Sequence, residues 1–127
     1  MNRTWRCLWV CFWLGLSLNQ VYAAVAATNL LTWDKTSDRV DADVRGWELF
    51  SLLERIASET GWQVFVEPDS GYKASAKFKG LPSGEALRLL LGDLNFALVP
   101  QTNSSSRLYV FRTVMKNATR QVRPGSR

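Results

Sequence analysis

Between residues 29 and 112 the spacing of apolar side chains switches between two periods, and each switch marks a new element. Asn29-Leu-Leu-Thr-Trp33 reads as a short strand, and Asp34-Lys-Thr-Ser-Asp38 is turn chemistry, since Asp and Ser side chains bond the nearby backbone. In Arg39-Val-Asp-Ala-Asp-Val44 the apolar residues Val40, Ala42 and Val44 fall on one face, the period of a half-buried strand. Residues 29–44 therefore predict a hairpin. Past Gly46 the step lengthens to three and four residues: Trp47, Leu49, Phe50, Leu52, Leu53, Ile56 and Ala57 make one face of an amphipathic helix of about fourteen residues. Gly61 stands where a left-handed C-terminal cap is needed.

A second round follows. Trp62-Gln-Val-Phe-Val-Glu67 predicts a strand ended by Pro68-Asp-Ser-Gly71. Tyr72 to Lys79 alternates strictly, its lysines marking a solvated face and a candidate sheet edge. Gly80-Leu-Pro-Ser-Gly84 opens a second helix, with Ser83 as N-cap and Glu85 near its positive end. Ala86, Leu87, Leu89, Leu90, Leu91 and Leu94 form its apolar face. Asn95–Val99 and Leu108–Arg112 are strands on either side of a polar loop. From Lys116 onward no apolar period remains, so residues 115–127 read as a disordered basic tail. The expected fold is α+β, with two helices packed on small mixed sheets in the order β-β-α-β-β-α-β-β. A helix-turn-strand unit occurs twice, ending in Val64-Phe-Val66 and in Phe96-Ala-Leu-Val99.

The N-terminus has a different character. Arg3 and Arg6 precede an uncharged apolar run from Cys7 to Leu18, and Val21-Tyr22-Ala23 offers small residues where a signal peptidase reads. This is the three-part pattern of a secretory signal, residues 1–23, with cleavage after Ala23 or after Ala26. The run is shorter than the roughly 20 apolar residues of a spanning helix. Its removal takes both cysteines, and the chain has no histidine. Losing Arg3 and Arg6 leaves a net charge of +3, concentrated in Lys116, Arg120, Arg123 and Arg127. The body between Ala24 and Met115 is then nearly neutral. A broad basic face for nucleic acid is not expected.

Certain motifs resemble the short N-terminal domain shared by secretins and TonB-dependent receptors. They are Leu52-Leu-Glu-Arg-Ile-Ala57, Thr60-Gly-Trp62, the Val64-Phe-Val66 strand, Ala76-Lys-Phe-Lys-Gly-Leu-Pro82, Glu85-Ala-Leu87 with Leu90-Leu91, and Leu94-Asn-Phe96. The resemblance implies a domain over residues 28–114, in the periplasm or outside the cell and associated with the outer membrane through a partner. It implies a module that docks onto other envelope proteins and catalyses nothing. Two features depart from that family: the additional strand Asn29–Trp33, and the end of the sequence at Arg127 without a barrel or pore. The chain is then either a stand-alone relative or the first part of a different exported architecture. A pro-region or accessory domain of a larger exported enzyme is the alternative.

Catalytic chemistry finds little to work with. A Ser-His-Asp arrangement needs a histidine, so a serine with a lysine base (Ser75 with Lys77 or Lys79) and a carboxylate pair (Asp41, Asp43) remain. Both read more simply as solvated strand faces. Asp34, Asp38, Asp41 and Asp43 lack the spacing and glycine of a calcium loop, and Gly80–Gly84 lacks the lysine of a phosphate loop. The expectation is therefore no catalytic, cofactor or metal residue, no small-molecule substrate and no nucleic acid. Trp47 and Trp62, near element ends, are the candidate partner-docking residues, because Trp is enriched at binding hot spots. Phe50, Phe65 and Phe96 are expected in the core. Strand addition at the edge of Tyr72–Lys79 or Leu108–Arg112 is a second route to a partner.

Overall fold

The structure is a computed structural model, and it describes residues 29–125. The expected signal segment lies outside the described residues. The elements run β1 (Leu30–Asp34), β2 (Arg39–Glu48), α1 (Leu49–Thr60), β3 (Gln63–Val66), β4 (Lys73–Leu81), α2 (Ser83–Leu91), β5 (Asn95–Val99), β6 (Arg107–Phe111), a 3-10 turn (Met115–Asn117) and β7 (Arg120–Val122). The α+β class and the order of the first eight elements agree with the sequence pattern, and β7 is added.

The strands form two sheets. One is antiparallel throughout, in the order β1-β2-β4; the other is mixed, in the order β5-β6-β3-β7, with β3 parallel to β6. Both helices lie against the inner faces. Leu52, Leu53 and Ile56 of α1 and Leu87, Leu90 and Leu91 of α2 are fully buried. They meet Leu31, Val40 and Val44 from the first sheet and Val64, Leu108 and Val110 from the second in one core. Burying a side chain of this size contributes roughly 1.5–3 kcal/mol, and this layer holds the sheets together.

Trp47 is not in the first helical turn. It is the second-last residue of β2, where the three-residue step from Val44 to Trp47 faces a two-residue step from Ala76 to Ala74. The extra residue is a β-bulge. It is centred on Gly46, whose φ of +56° suits glycine, and whose N–H donates to Ser75 Oγ at 2.9 Å. The bulge returns Trp47 to the inner face, so Val44 and Trp47 stand three apart and imitate a helical step. Helix α1 accordingly has 12 residues and closes at Gly61, as expected.

The start of α2 differs in a related way. Pro82 holds the N-cap position and Ser83 is the first helical residue. Ser83 donates from its N–H, at 3.2 Å, and from its hydroxyl to Asp38 Oδ1, across from the β1–β2 turn. A carboxylate distant in sequence thus takes the place of a local cap. Proline cannot cap through its side chain, which explains why the cap comes from elsewhere.

The tail is not disordered through residue 122. β7 pairs antiparallel with β3, Val64 opposite Val122, and both Val122 and Ala118 are buried. Only one β7 side chain reaches the core, which is why no period was visible. A second correction concerns β6: it lies between β5 and β3 and offers no edge, whereas β4 does.

Two substitutions test these joints by denaturant unfolding. Asp38→Ala, which removes the cap of α2, is expected to cost about 1 kcal/mol. Gly92 follows α2 at φ +52°, and a Cβ there would run into the Tyr72 hydroxyl. That hydroxyl donates to Leu90 O at 3.2 Å, so Gly92→Ala is expected to cost about 2 kcal/mol or more.

Candidate interaction surface

The two sheets turn very different outer faces to solvent. On the first, Thr32 stands opposite Asp41, Leu30 opposite Asp43, and Asp43 opposite Lys77. With Lys79 they line a shallow recess of about 230 Å³. Asp43 faces Lys77 across β2 and β4, as on an ordinary solvated face, while β1 adds Thr32 and the exposed Leu30.

The second sheet is apolar on both sides. Val64, Val66, Leu108 and Val110 point inward and are buried. The intervening residues, Phe65 on β3 and Tyr109 and Phe111 on β6, point the other way, because successive strand side chains alternate. Ala97 and Val99 of β5 join them. The register puts Ala97 beside Tyr109 and Tyr109 beside Phe65. All five are half-buried, and none belongs to the set packed on the core. The Phe65 and Tyr109 rings stack on each other, with centroids 5.3 Å apart and planes 18° apart.

The expectation that Phe65 lies in the core is therefore corrected. Phe50 and Phe96 do pack against the core, half-buried. A signal for the outer face was present: Val64–Val66, Phe96–Val99 and Leu108–Phe111 are unbroken apolar runs. Such runs are expected where a strand is covered on both faces, yet two helices shared between two sheets cover one face of each.

The edges of this face are polar. Arg107 Nε donates to Gln63 Oε1 at 3.1 Å where β6 and β3 begin. At their far ends, Glu67 holds the turn that follows β6. Its carboxylate accepts the Arg112 N–H at 2.7 Å, the Thr113 N–H at 3.0 Å and the Thr113 hydroxyl at 2.7 Å. These bonds, led by the Thr113 hydroxyl, hold the Glu67 carboxyl below its ordinary value. The turn leads into the 3-10 segment and β7, so Glu67 fixes the return of the chain to β3.

Trp47 and Trp62 do not converge. They flank the two ends of α1, a 12-residue helix roughly 18 Å long. Trp62 is half-buried and packs edge-on against the buried Trp33, centroids 5.3 Å apart. Trp47 packs half-buried against the core. Several of the other candidate groups hold backbone. Asp41 Oδ1 accepts the Gly80 N–H at 2.7 Å, Asp34 Oδ1 accepts the Thr36 N–H at 3.0 Å, and Ser75 Oγ accepts from Gly46. Hydrogen bonds from Ser37 and Thr36 lower the Asp34 carboxyl.

A cleft of about 340 Å³ opens where the β3–β4 connection passes the start of α1, between Phe50, Pro68 and Tyr72. Arg120 of β7 lies over the Phe50 ring at 4.7 Å and closes one side. Burial, with Asp93 nearby, raises the Tyr72 hydroxyl above its ordinary value. Among the described residues no group of three or more His, Cys, Asp or Glu side chains is placed to hold a metal, and no helix is long and apolar enough to cross a membrane.

No family model, curated protein or solved structure matches the chain.

The Glu67 clamp gives a pH test. Its folded-state value is depressed, so its stabilisation is present above the ordinary carboxylate range and disappears as pH falls through the folded value. Amide exchange at Gln121 and Val122 is expected to accelerate, relative to β6, on acidification through that range. Glu67→Gln is expected to bring the faster exchange to neutral pH and to flatten the pH response.

Proposed function

We propose that the chain is an exported, non-enzymatic protein-interaction module of the cell envelope, working through the outer face of its β5-β6-β3-β7 sheet. The observation that carries this reading is the contiguous apolar face of Phe65, Tyr109, Phe111, Ala97 and Val99, left uncovered by both helices. Large exposed apolar patches rimmed by polar groups mark interaction sites, and Gln63, Arg107 and Glu67 supply such a rim. The contrast with the outer face of the other sheet, where Asp41, Asp43, Lys77 and Lys79 surround a single exposed leucine, Leu30, supports the choice of surface.

Three sequence features support the rest of the reading. The signal pattern of residues 1–23 supports export. The resemblance to the short domain of secretins and TonB-dependent receptors supports a docking role in the envelope. The engagement of Asp34, Asp38, Asp41, Glu67 and Ser75 in holding backbone supports a structural use for the polar groups otherwise available for catalysis. In this reading the tryptophans at the ends of α1 brace the core, and the aromatic pair Phe65–Tyr109 takes over as the docking centre.

A photoreactive phenylalanine analogue at Tyr109 is expected to give a cross-linked protein adduct in living cells, and the same analogue at Lys77 is not. Tyr109→Ala is expected to weaken the interaction by about 2 kcal/mol, a hot-spot magnitude, with an unchanged melting temperature. Adducts of equal yield at both positions, or none at either, would remove the surface from consideration.

A further inference from the structure

We infer that the occupant of this face is a second copy of the same chain, packed sheet to sheet about a two-fold axis; the inference rests on the docking role just proposed. β3 and β6 are parallel and in register, so both begin at one end of the face and finish at the other. Arg107 stands at the beginning, bonded to Gln63, and Glu67 stands at the finish. Phe65, Tyr109 and Ala97 occupy the level between them.

A face with a cation at one end, an anion at the other and aromatics between is complementary to itself when turned end for end. A two-fold axis lying in the interface and crossing the strands at the Phe65–Tyr109 level performs that turn. It sets Tyr109 over Tyr109 of the second copy and Gln63 over its Glu67, while Arg107, bonded to Gln63 from the neighbouring strand, comes over Phe111 of the second copy and beside that Glu67. Isologous contacts of this kind are the commonest in soluble oligomers. An unrelated partner would need to supply the same pattern by coincidence, whereas a second copy carries it by symmetry.

The size of the face sets the strength. Strands of five, five, four and three residues, about 4.8 Å apart and rising about 3.3 Å per residue, cover roughly 270 Å² of flat footprint. Two such faces, even roughened by side chains, bury less than the about 1,000 Å² of a stable specific interface. The dimer is therefore reversible, with a dissociation constant in the micromolar range and a monomer present on dilution.

Sedimentation equilibrium on protein expressed from the full chain, as its host processes it, tests this. A monomer–dimer equilibrium across the micromolar range is expected. Phe65→Ser and Tyr109→Ser, both outside the core, are expected to raise the dissociation constant more than tenfold while the dilute monomer stays folded. Arg107→Glu, which sets like charges against each other, is expected to raise it roughly tenfold at low salt, and Arg107→Lys is not. In a Cys7→Ser, Cys11→Ser background, Ala97→Cys lies on the axis level, so a short bismaleimide is expected to link two chains there. Lys77→Cys, on the outer face of the other sheet, is expected to remain unlinked.

A protein that stays monomeric to high micromolar concentration, with Ala97→Cys unlinked, overturns the inference. If the photoreactive group at Tyr109 then captures a different protein, self-association alone falls and the docking role stands. If it captures nothing, both fall.

Discussion

Two helices shared between two sheets leave each sheet with one face that neither helix covers among the described residues, and this limit shapes the molecule. Leu52, Leu53, Ile56, Leu87, Leu90 and Leu91 place their apolar surface in the layer between the sheets and are fully buried there. Nothing of that stripe remains for the outer faces. The β1-β2-β4 sheet meets the limit in the usual way, with Asp41, Asp43 and Lys77 alternating outward. The other sheet does not, and carries the stacked rings of Phe65 and Tyr109 on its outer face.

The irregular parts of the backbone are held by side chains from distant segments. Asp38 caps α2, Asp41 holds the N–H of Gly80 in β4, Ser75 holds that of Gly46 in the β2 bulge, and Glu67 closes the turn after β6. Each joins segments 29 or more residues apart. Small domains have little core to spend on rigidity, and these ties compensate where the hydrogen-bond ladders are interrupted. They also separate acidic residues that stand close in sequence: Asp34, Asp38 and Asp41 each answer a different backbone group.

Sequence pattern alone revealed the class, both helices and six of the seven strands, because in those segments period and burial agree. It failed where local structure changed the period. The bulge at Gly46 shifted Trp47 by one residue and gave β2 a helical spacing. β7 was invisible because Val122 is its only buried side chain. The candidate surface was missed for a different reason. Phe65 is flanked by valines, and a run of three apolar residues carries no information about which one faces out. Only the pairing of β3 with β6, and the arithmetic of two helices against two sheets, separates Phe65 and Tyr109 from Val64 and Leu108. Trp47 and Trp62 attracted attention by residue type, but the length of α1 lies between them.

The central claim is that the aromatic face of the four-stranded sheet is open in a single copy of the chain. Hydroxyl-radical footprinting of the dilute protein tests it directly, by comparing oxidation of Phe65, Tyr109 and Phe111 with that of the buried Trp33. The account requires the three outer rings to react as accessible aromatics while Trp33, at 6 % exposure, is protected. Protection of all three to the level of Trp33 in the dilute monomer would contradict it, because some other part of the chain would then already cover the face.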